Sequence, residues 1–421
     1  MAVVTAEIKD VNGVTLVCET VPFFKSVSFG VWILSGSRDE PSGKNGVSHF
    51  LEHLVFKGSK EKNAGQIAME IDELGGDIDA YTSRETTCFS GHVVSHRLEK
   101  AFSLVSEMIF GSVFPEAEME LERKVILEEL KSSEDNPSEL AFENAYQARF
   151  GAHPLGAPLG GIPESVAQIS RDDLVTFRRE FYTAPRMVVA ASGDVNIEKM
   201  EEMILRHFGQ ASREGSRRKS ESPAPRSSSI FIKKDLEQAH LVLAVPGIPI
   251  TDSRRDSLAL LNLIFGGSFS SRLFQKVREQ RGLAYSIQSF TDKYSDSGVA
   301  GVYTACAPES LGEIWKITKE EMESLASSRV DEKELDRAKV MAQDGVSLSM
   351  ESLESRVSRL AGQVVYHGRI FSLDETLERI KAVTAENVRA LAGELFSAQG
   401  ARNILVVGPE SAMGAAKLLV S

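Results

Sequence analysis

The sequence predicts an α+β fold made of two homologous halves, and three observations carry this. Short β-rich segments joined by turn signals are followed by longer runs with helical apolar spacing. The same order of segments returns in the second half, roughly 210 residues further on. Between the halves, residues 212–228 (Ser-Arg-Glu-Gly-Ser-Arg-Arg-Lys-Ser-Glu-Ser-Pro-Ala-Pro-Arg-Ser-Ser) have almost nothing to bury and read as a flexible linker. The expected domains are therefore 1–211 and 229–421, and a chain of 421 residues is long enough for two cores.

In the first half, residues 3–35 hold three strand segments. Asn12-Gly13, flanked by Val11 and Val14, is the hairpin turn between the first two, and Val27 to Leu34 forms the third. Ser35-Gly36-Ser37 opens a polar loop that leads to a helix around His49. A second helix over about 64–74 stops at Gly75-Gly76, and strands follow at Asp77 to Ser83 and Thr87 to Val94. Residues 97–150 are mostly helical. Within them 116–135 is one long amphipathic helix, with Met119, Leu121, Val125, Ile126 and Leu130 on its apolar side. After a loop at Phe150 to Gly156 come a helix near 171–182, an apolar strand at Arg186 to Ala191 and a helix over about 196–208. The second half repeats the plan. Strands at about 229–234 and 239–245 lead into a helix from Ser253 to Phe265, and Ala401 to Val407 echoes Ala184 to Val189.

One short stretch organises the chemistry. In Val47-Ser48-His49-Phe50-Leu51-Glu52-His53-Leu54-Val55 the apolar residues recur at helical spacing, which sets His49 and His53 one turn apart on a shared face. Two imidazoles so placed are the geometry of two ligands to one metal ion, and Glu52 on the flank can serve as a general base. A histidine on an apolar helix is more often a satisfied core residue, so the pair needs a third ligand. Glu118, Glu120, Glu122, Glu128 and Glu129 lie on the long helix, where a charge run usually marks a solvated face. Glu122 and Glu129 stand apart from that reading because they are seven apart and share a face. If that face meets the His49 helix, Glu129 supplies a carboxylate oxygen and Glu122 supports a histidine from behind. In the second copy the corresponding residues, Leu258, Leu261 and Asn262, offer no ligands.

Composition narrows the classes. Apolar content of 42% and charged content of 26% are those of a globular protein. A net charge of −12 argues against general nucleic-acid binding. Cys18, Cys88 and Cys306 form no paired framework, which fits a reducing, cytoplasmic setting. The first ten residues do not read as a signal peptide, and no apolar run approaches a membrane span.

On these residues the chain resembles the pitrilysin-type zinc metallopeptidases, the inverzincins with H-x-x-E-H. Within them it is similar to the small bacterial members of the mitochondrial processing peptidase branch, over nearly the whole chain. The resemblance implies two homologous domains, each a mostly antiparallel sheet packed with helices. It implies one zinc per chain on His49, His53 and Glu129, with Glu52 as general base and Glu122 as supporting carboxylate. In the second half, Val277-Arg278-Glu279-Gln280-Arg281-Gly282-Leu283-Ala284-Tyr285 matches a family segment. There Arg278 binds a substrate carbonyl and Tyr285 donates to the tetrahedral intermediate; from the residues alone, Arg278 reads as a surface residue and Tyr285 as a packed one. The strand at Ala80-Tyr81-Thr82 is expected to receive an extended peptide as an added strand. Glu139 and Glu143, four apart, match two acids that hold a basic substrate residue; two solvated glutamates are the plain alternative. Two features depart from the family: Asp79 stands where the family often has Asn, and the glycine-rich loop is reduced to Gly266-Gly267-Ser268.

The expected function is thus a zinc-dependent endopeptidase for extended or unfolded peptides in a closed chamber, completed by a second copy or a paralogue. The competing reading is a non-catalytic assembly subunit on the same fold, and a hydrolase of small metabolites comes third.

Overall fold

The turn at Asn12-Gly13 has positive φ at both residues, 56° and 91°, the conformation a two-residue hairpin needs to match strand twist. It joins the first two strands with Val11 opposite Val14. The structure is a computed structural model that describes residues 5–218, 221–397 and 400–418. In chain order the first half contains β1 (Thr5–Val11), β2 (Val14–Thr20), β3 (Ser26–Ile33), α1 (Val47–Leu54), α2 (Ala64–Leu74), β4 (Asp77–Thr82), β5 (Thr87–Val94) and α3 (Leu98–Gly111). It continues with α4 (Glu116–Asp135), α5 (Pro137–Phe150), α6 (Pro163–Val166), α7 (Arg171–Phe181), β6 (Met187–Gly193) and α8 (Ile197–His207). The second half contains β7 (Ser228–Lys233), β8 (Ala239–Gly247), α9 (Arg255–Phe265), β9 (Ala284–Lys293), β10 (Gly298–Cys306), α10 (Leu311–Ser327) and α11 (Glu332–Ser349). It ends with α12 (Leu353–His367), α13 (Leu373–Ala382), α14 (Ala385–Leu395), β11 (Asn403–Gly408) and α15 (Met413–Leu418).

The α+β expectation holds. The first sheet runs β1-β2-β6-β3-β5-β4 and the second β7-β11-β8-β10-β9. Leaving out β1, the two have the same order, and in each only the pairing that involves the last strand and the first of the repeat (β2 with β6, β7 with β11) is parallel. The internal echo in the sequence is therefore a repeated topology.

Neither compact unit is one contiguous stretch. The first comprises the described residues of Met1–Lys131, Ala157–Lys219 and Leu348–Phe371, the second those of Ser132–Gly156, Ser220–Ser347 and Ser372–Ser421. In the first unit, Phe29, Val31, Ile33 and Phe89 face a core completed by Phe50, Leu51, Leu54, Phe102 and Phe177 from α1, α3 and α7. The opposite face, with Val17, Trp32, Cys88, Val188 and Ala190, is covered by Val357, Leu360, Ala361 and Val364 of α12. In the second unit Leu241, Leu243 and Val406 pack with α9, α10 and α14. Its other face, with Val242, Leu405 and Val407, is covered by Ala141 and Ala145 of α5. A strand buried on both faces, such as β6, reads as an apolar run over residues 187–191 because each face must be removed from water. Each unit thus draws the helix for its second face from the other half of the sequence.

Polar residues fix α12 on the first sheet. Glu19 is buried, accepts from Arg356 Nη1 at 2.9 Å and from the Ser192 hydroxyl at 2.9 Å, and lies 3.7 Å from Arg359 Nη2. Removing this carboxylate leaves two arginines uncompensated in a low-dielectric setting. Glu19→Ala is expected to cost about 3–5 kcal/mol, read as a lower denaturant midpoint with an unchanged slope.

Candidate metal centre

α1 starts at Gly46, whose φ of 92° suits glycine. Gly46 has no side chain to cap the helix, and Glu40 does so from a distance. Its carboxylate accepts the Gly46 N–H at 2.8 Å, the Ser48 N–H at 3.0 Å and the Ser48 hydroxyl. Val47, Phe50, Leu51 and Leu54 are buried, so His49, Glu52 and His53 are turned towards the open side. The loop at Gly160-Gly161 packs backbone to backbone on this helix start. A Cβ on Gly46 would come within 2.6 Å of Gly160 O, and one on Gly161 within 2.4 Å of Asn45 O.

α4 lies beside α1 with Met119, Glu122 and Ile126 buried. Arg123 anchors it: Nη2 donates to Ile169 O at 2.9 Å, Nη1 donates to Val166 O, and the guanidinium sits over the Phe50 ring at 5.2 Å. Glu122 and Glu129, two turns apart, then both face α1.

His49 Nε2 lies 3.2 Å from His53 Nε2, and Glu129 Oε2 is 3.9 Å from the first and 3.7 Å from the second. These three are the group of His, Cys, Asp and Glu side chains among the described residues whose ligand atoms come within 4.8 Å of one another. Three corners of a tetrahedron with bonds of about 2.0–2.1 Å are spaced by about 3.3 Å, so small side-chain adjustments would close the set on a cation. His53 Nδ1 is 3.1 Å from Glu122 Oε2, and Lys57 Nζ is 2.8 Å from Glu122 Oε1. That contact orients the imidazole and turns its Nε2 to the site. His49 Nδ1 is buried with no hydrogen-bond partner.

Electrostatics suit the arrangement. Burial, helped by the neighbouring His53, holds the His49 imidazole down at about 4, so it stays neutral with a lone pair available at pH 7. Burial raises the Glu52 carboxyl, and the Thr82 hydroxyl, which donates to Glu52 Oε2 at 2.7 Å, works against that. Burial also acts to raise Glu122, but Lys57 and His53 outweigh it and hold the group below the ordinary carboxylate range.

The strand that carries Thr82 is held by a second polar cluster. Ser37 and Arg38 donate backbone N–H groups to Ser83 O and Arg84 O at 3.1 and 2.9 Å. Gly36 permits this approach, since a Cβ there would lie 2.1 Å from Ser83 O. Arg38 Nη1 meets Glu85 Oε1 at 2.7 Å, and Arg186 Nη1 lies 3.6 Å from Asp39. Arg218 donates to Asp39 Oδ1 at 2.9 Å and to Glu85 Oε1 at 3.2 Å. Arg218 belongs to the stretch expected to be a flexible linker. Further along, Glu221 N–H and the Ser222 hydroxyl donate to Asp296 at 2.9 and 2.8 Å. Arg218, Glu221 and Ser222 are held by an ion-pair cluster and hydrogen bonds rather than by apolar burial, and hydrophobic pattern does not report such ties.

The structure brings His49, Glu52, His53, Thr82, Glu122 and Glu129 together in the first unit, with Ala80 and Tyr81 next along the strand. Glu139, Glu143, Arg278 and Tyr285 are in the second unit. There Glu139 Oε1 accepts from Asn136 Nδ2 at 2.8 Å, and Glu143 is one turn on along α5. Tyr285 is 80% exposed, and Arg278 lies 4.7 Å from its ring and 4.8 Å from that of Phe274. Sequence reasoning missed Glu40, Arg218 and Lys57. Only Lys57 had a local signal, at four residues after His53.

Comparison with known proteins points one way. Residues 15–161 match the family Insulinase (Peptidase family M16), and residues 168–341 match the Peptidase M16 inactive domain. A Bacillus subtilis protein named an uncharacterized zinc protease is 36% identical, over 92% of this chain and 94% of its own. One from Mycobacterium tuberculosis, also named an uncharacterized zinc protease, is 37% identical over 92% of this chain and 89% of its own. The fold matches a crystal structure described as a peptidase M16 inactive domain from Pseudomonas fluorescens, with a TM-score of 0.90, 22% identity, and 96% and 98% of the two chains covered. A protease from Helicobacter pylori gives a TM-score of 0.88 at 22% identity, covering 97% and 100%.

Glu40 yields a pH prediction. Burial pushes its carboxyl up to about 7 against the pull of its donors, from 4.5. A raised folded-state value means that its contribution to stability is full below about 4.5 and is lost as pH rises through about 7. The stability difference between wild type and Glu40→Gln is therefore expected to shrink from pH 5 to pH 8, measured by urea unfolding at each pH.

Proposed function

The chain belongs to peptidase family M16, and from that premise we propose that it is a zinc-dependent endopeptidase acting on extended or unfolded peptides. The observation that carries the reading is the meeting of His49, His53 and Glu129 with Glu52 beside them. Two imidazoles and one carboxylate are the donor set of a catalytic zinc site with one position left open. His53 is already oriented through its other nitrogen, which supports the fit. When bound there, zinc supplies a Lewis acid that lowers the pKa of water to about 7 and polarises a carbonyl.

The protein's own part is proton handling and orientation. Glu52 accepts the proton of the attacking water and returns it to the departing amine. Thr82 holds Glu52 in place through its hydroxyl. Glu122 keeps His53 facing the site, and Lys57 keeps Glu122 charged. Arg278 and Tyr285 take the roles of carbonyl binder and oxyanion donor, and the exposure of Tyr285 leaves its phenol accessible to substrate. Strand β4, at the edge of its sheet, receives the peptide backbone at Ala80 to Thr82. Glu139 and Glu143 pair with a basic residue of the substrate. A second copy or a paralogue completes a closed chamber, and the three free cysteines suit a cytoplasmic setting. A purely architectural subunit has no use for the complete set His49, Glu52, His53 and Glu129.

Two measurements test this. Wild-type protein should bind one zinc and cleave an unfolded basic peptide in a chelator-sensitive manner. Glu52→Gln should keep the metal yet lose about 10²–10⁴-fold in kcat, while Glu129→Ala should lose the metal as well. Full activity in Glu52→Gln would sink the mechanism. The double variant Glu139→Gln/Glu143→Gln should lower kcat/KM for Arg-bearing peptides and leave Ala-bearing ones nearly unaffected; equal losses would remove that pairing.

A further inference from the structure

β4 is the terminal strand of its sheet, and its backbone parity is fixed by the turn that follows it. Ser83 N–H donates to Thr86 O at 2.7 Å, and the register continues with Tyr81 opposite Cys88, Ala80 opposite Phe89 and Asp79 opposite Ser90. In an antiparallel ladder, alternate residues turn their N–H and C=O towards the partner. Ser83, Tyr81 and Asp79 therefore face β5, and Ala80 turns its N–H to the open edge. That N–H already has an acceptor: Asp79 Oδ1 at 2.9 Å. The side chain before it has folded over the edge and taken the donor that an added strand would use.

Asp79 and Tyr81 are exposed and project from the same face of β4, two residues apart. The Tyr81 ring is fixed, because Trp32 Nε1–H donates to its hydroxyl at 3.1 Å. A strand that docks at Ala80 exchanges the Asp79 carboxylate for a peptide carbonyl and leaves a released anion beside a rigid aromatic face. A long cationic side chain meets both needs, its stem lying over the ring and its charge reaching the carboxylate. A neutral side chain leaves the anion to solvent and gains neither contact.

We propose that Asp79 latches the free edge of β4 and, with Tyr81, selects a Lys or Arg of the incoming peptide on that face of the added strand. This rests on the reading of β4 as the peptide-docking edge, and adds a basic-residue subsite separate from Glu139 and Glu143. Zinc-loaded Glu52→Gln protein serves as the test, because binding is then read without turnover. Fluorescent peptides with a single Lys, or norleucine in its place, scanned through each position, are titrated by anisotropy. The expected result is a position, distinct from the one that Glu139 and Glu143 serve, at which Lys binds about three- to fivefold tighter than norleucine. That ratio should fall to near one when Asp79→Asn is added, survive in Asp79→Glu, persist in Glu139→Gln/Glu143→Gln, and weaken with added salt. A Lys preference unmoved by Asp79→Asn would overturn the subsite while leaving edge docking intact. Failure of every peptide to bind would overturn both.

Discussion

A half-buried carboxylate decides where the site begins. Glu40 collects two backbone N–H groups and a hydroxyl at the start of α1, and the position of every ligand on that helix follows from where its first turn is held. An eight-residue helix has little stability of its own. It persists because its apolar residues are buried on one side and its open donors are satisfied at one end. The close glycine contacts at Gly46, Gly160 and Gly161 belong to the same constraint, since any side chain there would push the helix start away from its neighbours.

Around this helix, function is placed on rigid supports. Glu129 is delivered by a long helix that Arg123 ties to two carbonyls, and Thr82 by a strand next to a tight turn. The turn is held in turn by the Arg38, Asp39, Glu85 and Arg218 cluster, so a residue from the segment between the halves helps fix the strand next to Glu52. Burying so many charges costs desolvation energy and gains little net stability. What the cluster provides is definition: each carboxylate has a specific partner, and the loops have one arrangement in which all are met.

The repeated topology shows how one fold serves two purposes. With β1 set aside, both sheets have the same strand order, yet where the first unit presents His49, Glu52 and His53 on α1, the second has Leu258, Leu261 and Asn262 on α9. Replacing the ligands by residues that bind no metal leaves the strand order of the repeat unchanged. The exchanged helices α5 and α12 answer a shared need, since each sheet has a second apolar face that its own half of the sequence leaves uncovered.

Periodicity and turn chemistry were local, and so were readable in the sequence. The hairpin at Asn12-Gly13, the helix that sets His49 and His53 one turn apart, the seven-residue spacing of Glu122 and Glu129, and the doubled plan all follow from backbone sterics and side-chain period. What had no local signal was decided only in three dimensions. A helix pattern states that a face must be buried, not against which sheet, so the exchange of α5 and α12 was invisible. The cap from Glu40, the anchoring of Arg218 and the fold-back of Asp79 onto Ala80 are polar contacts. A polar contact leaves no periodic trace, because its partner is chosen by tertiary proximity and not by spacing along the chain.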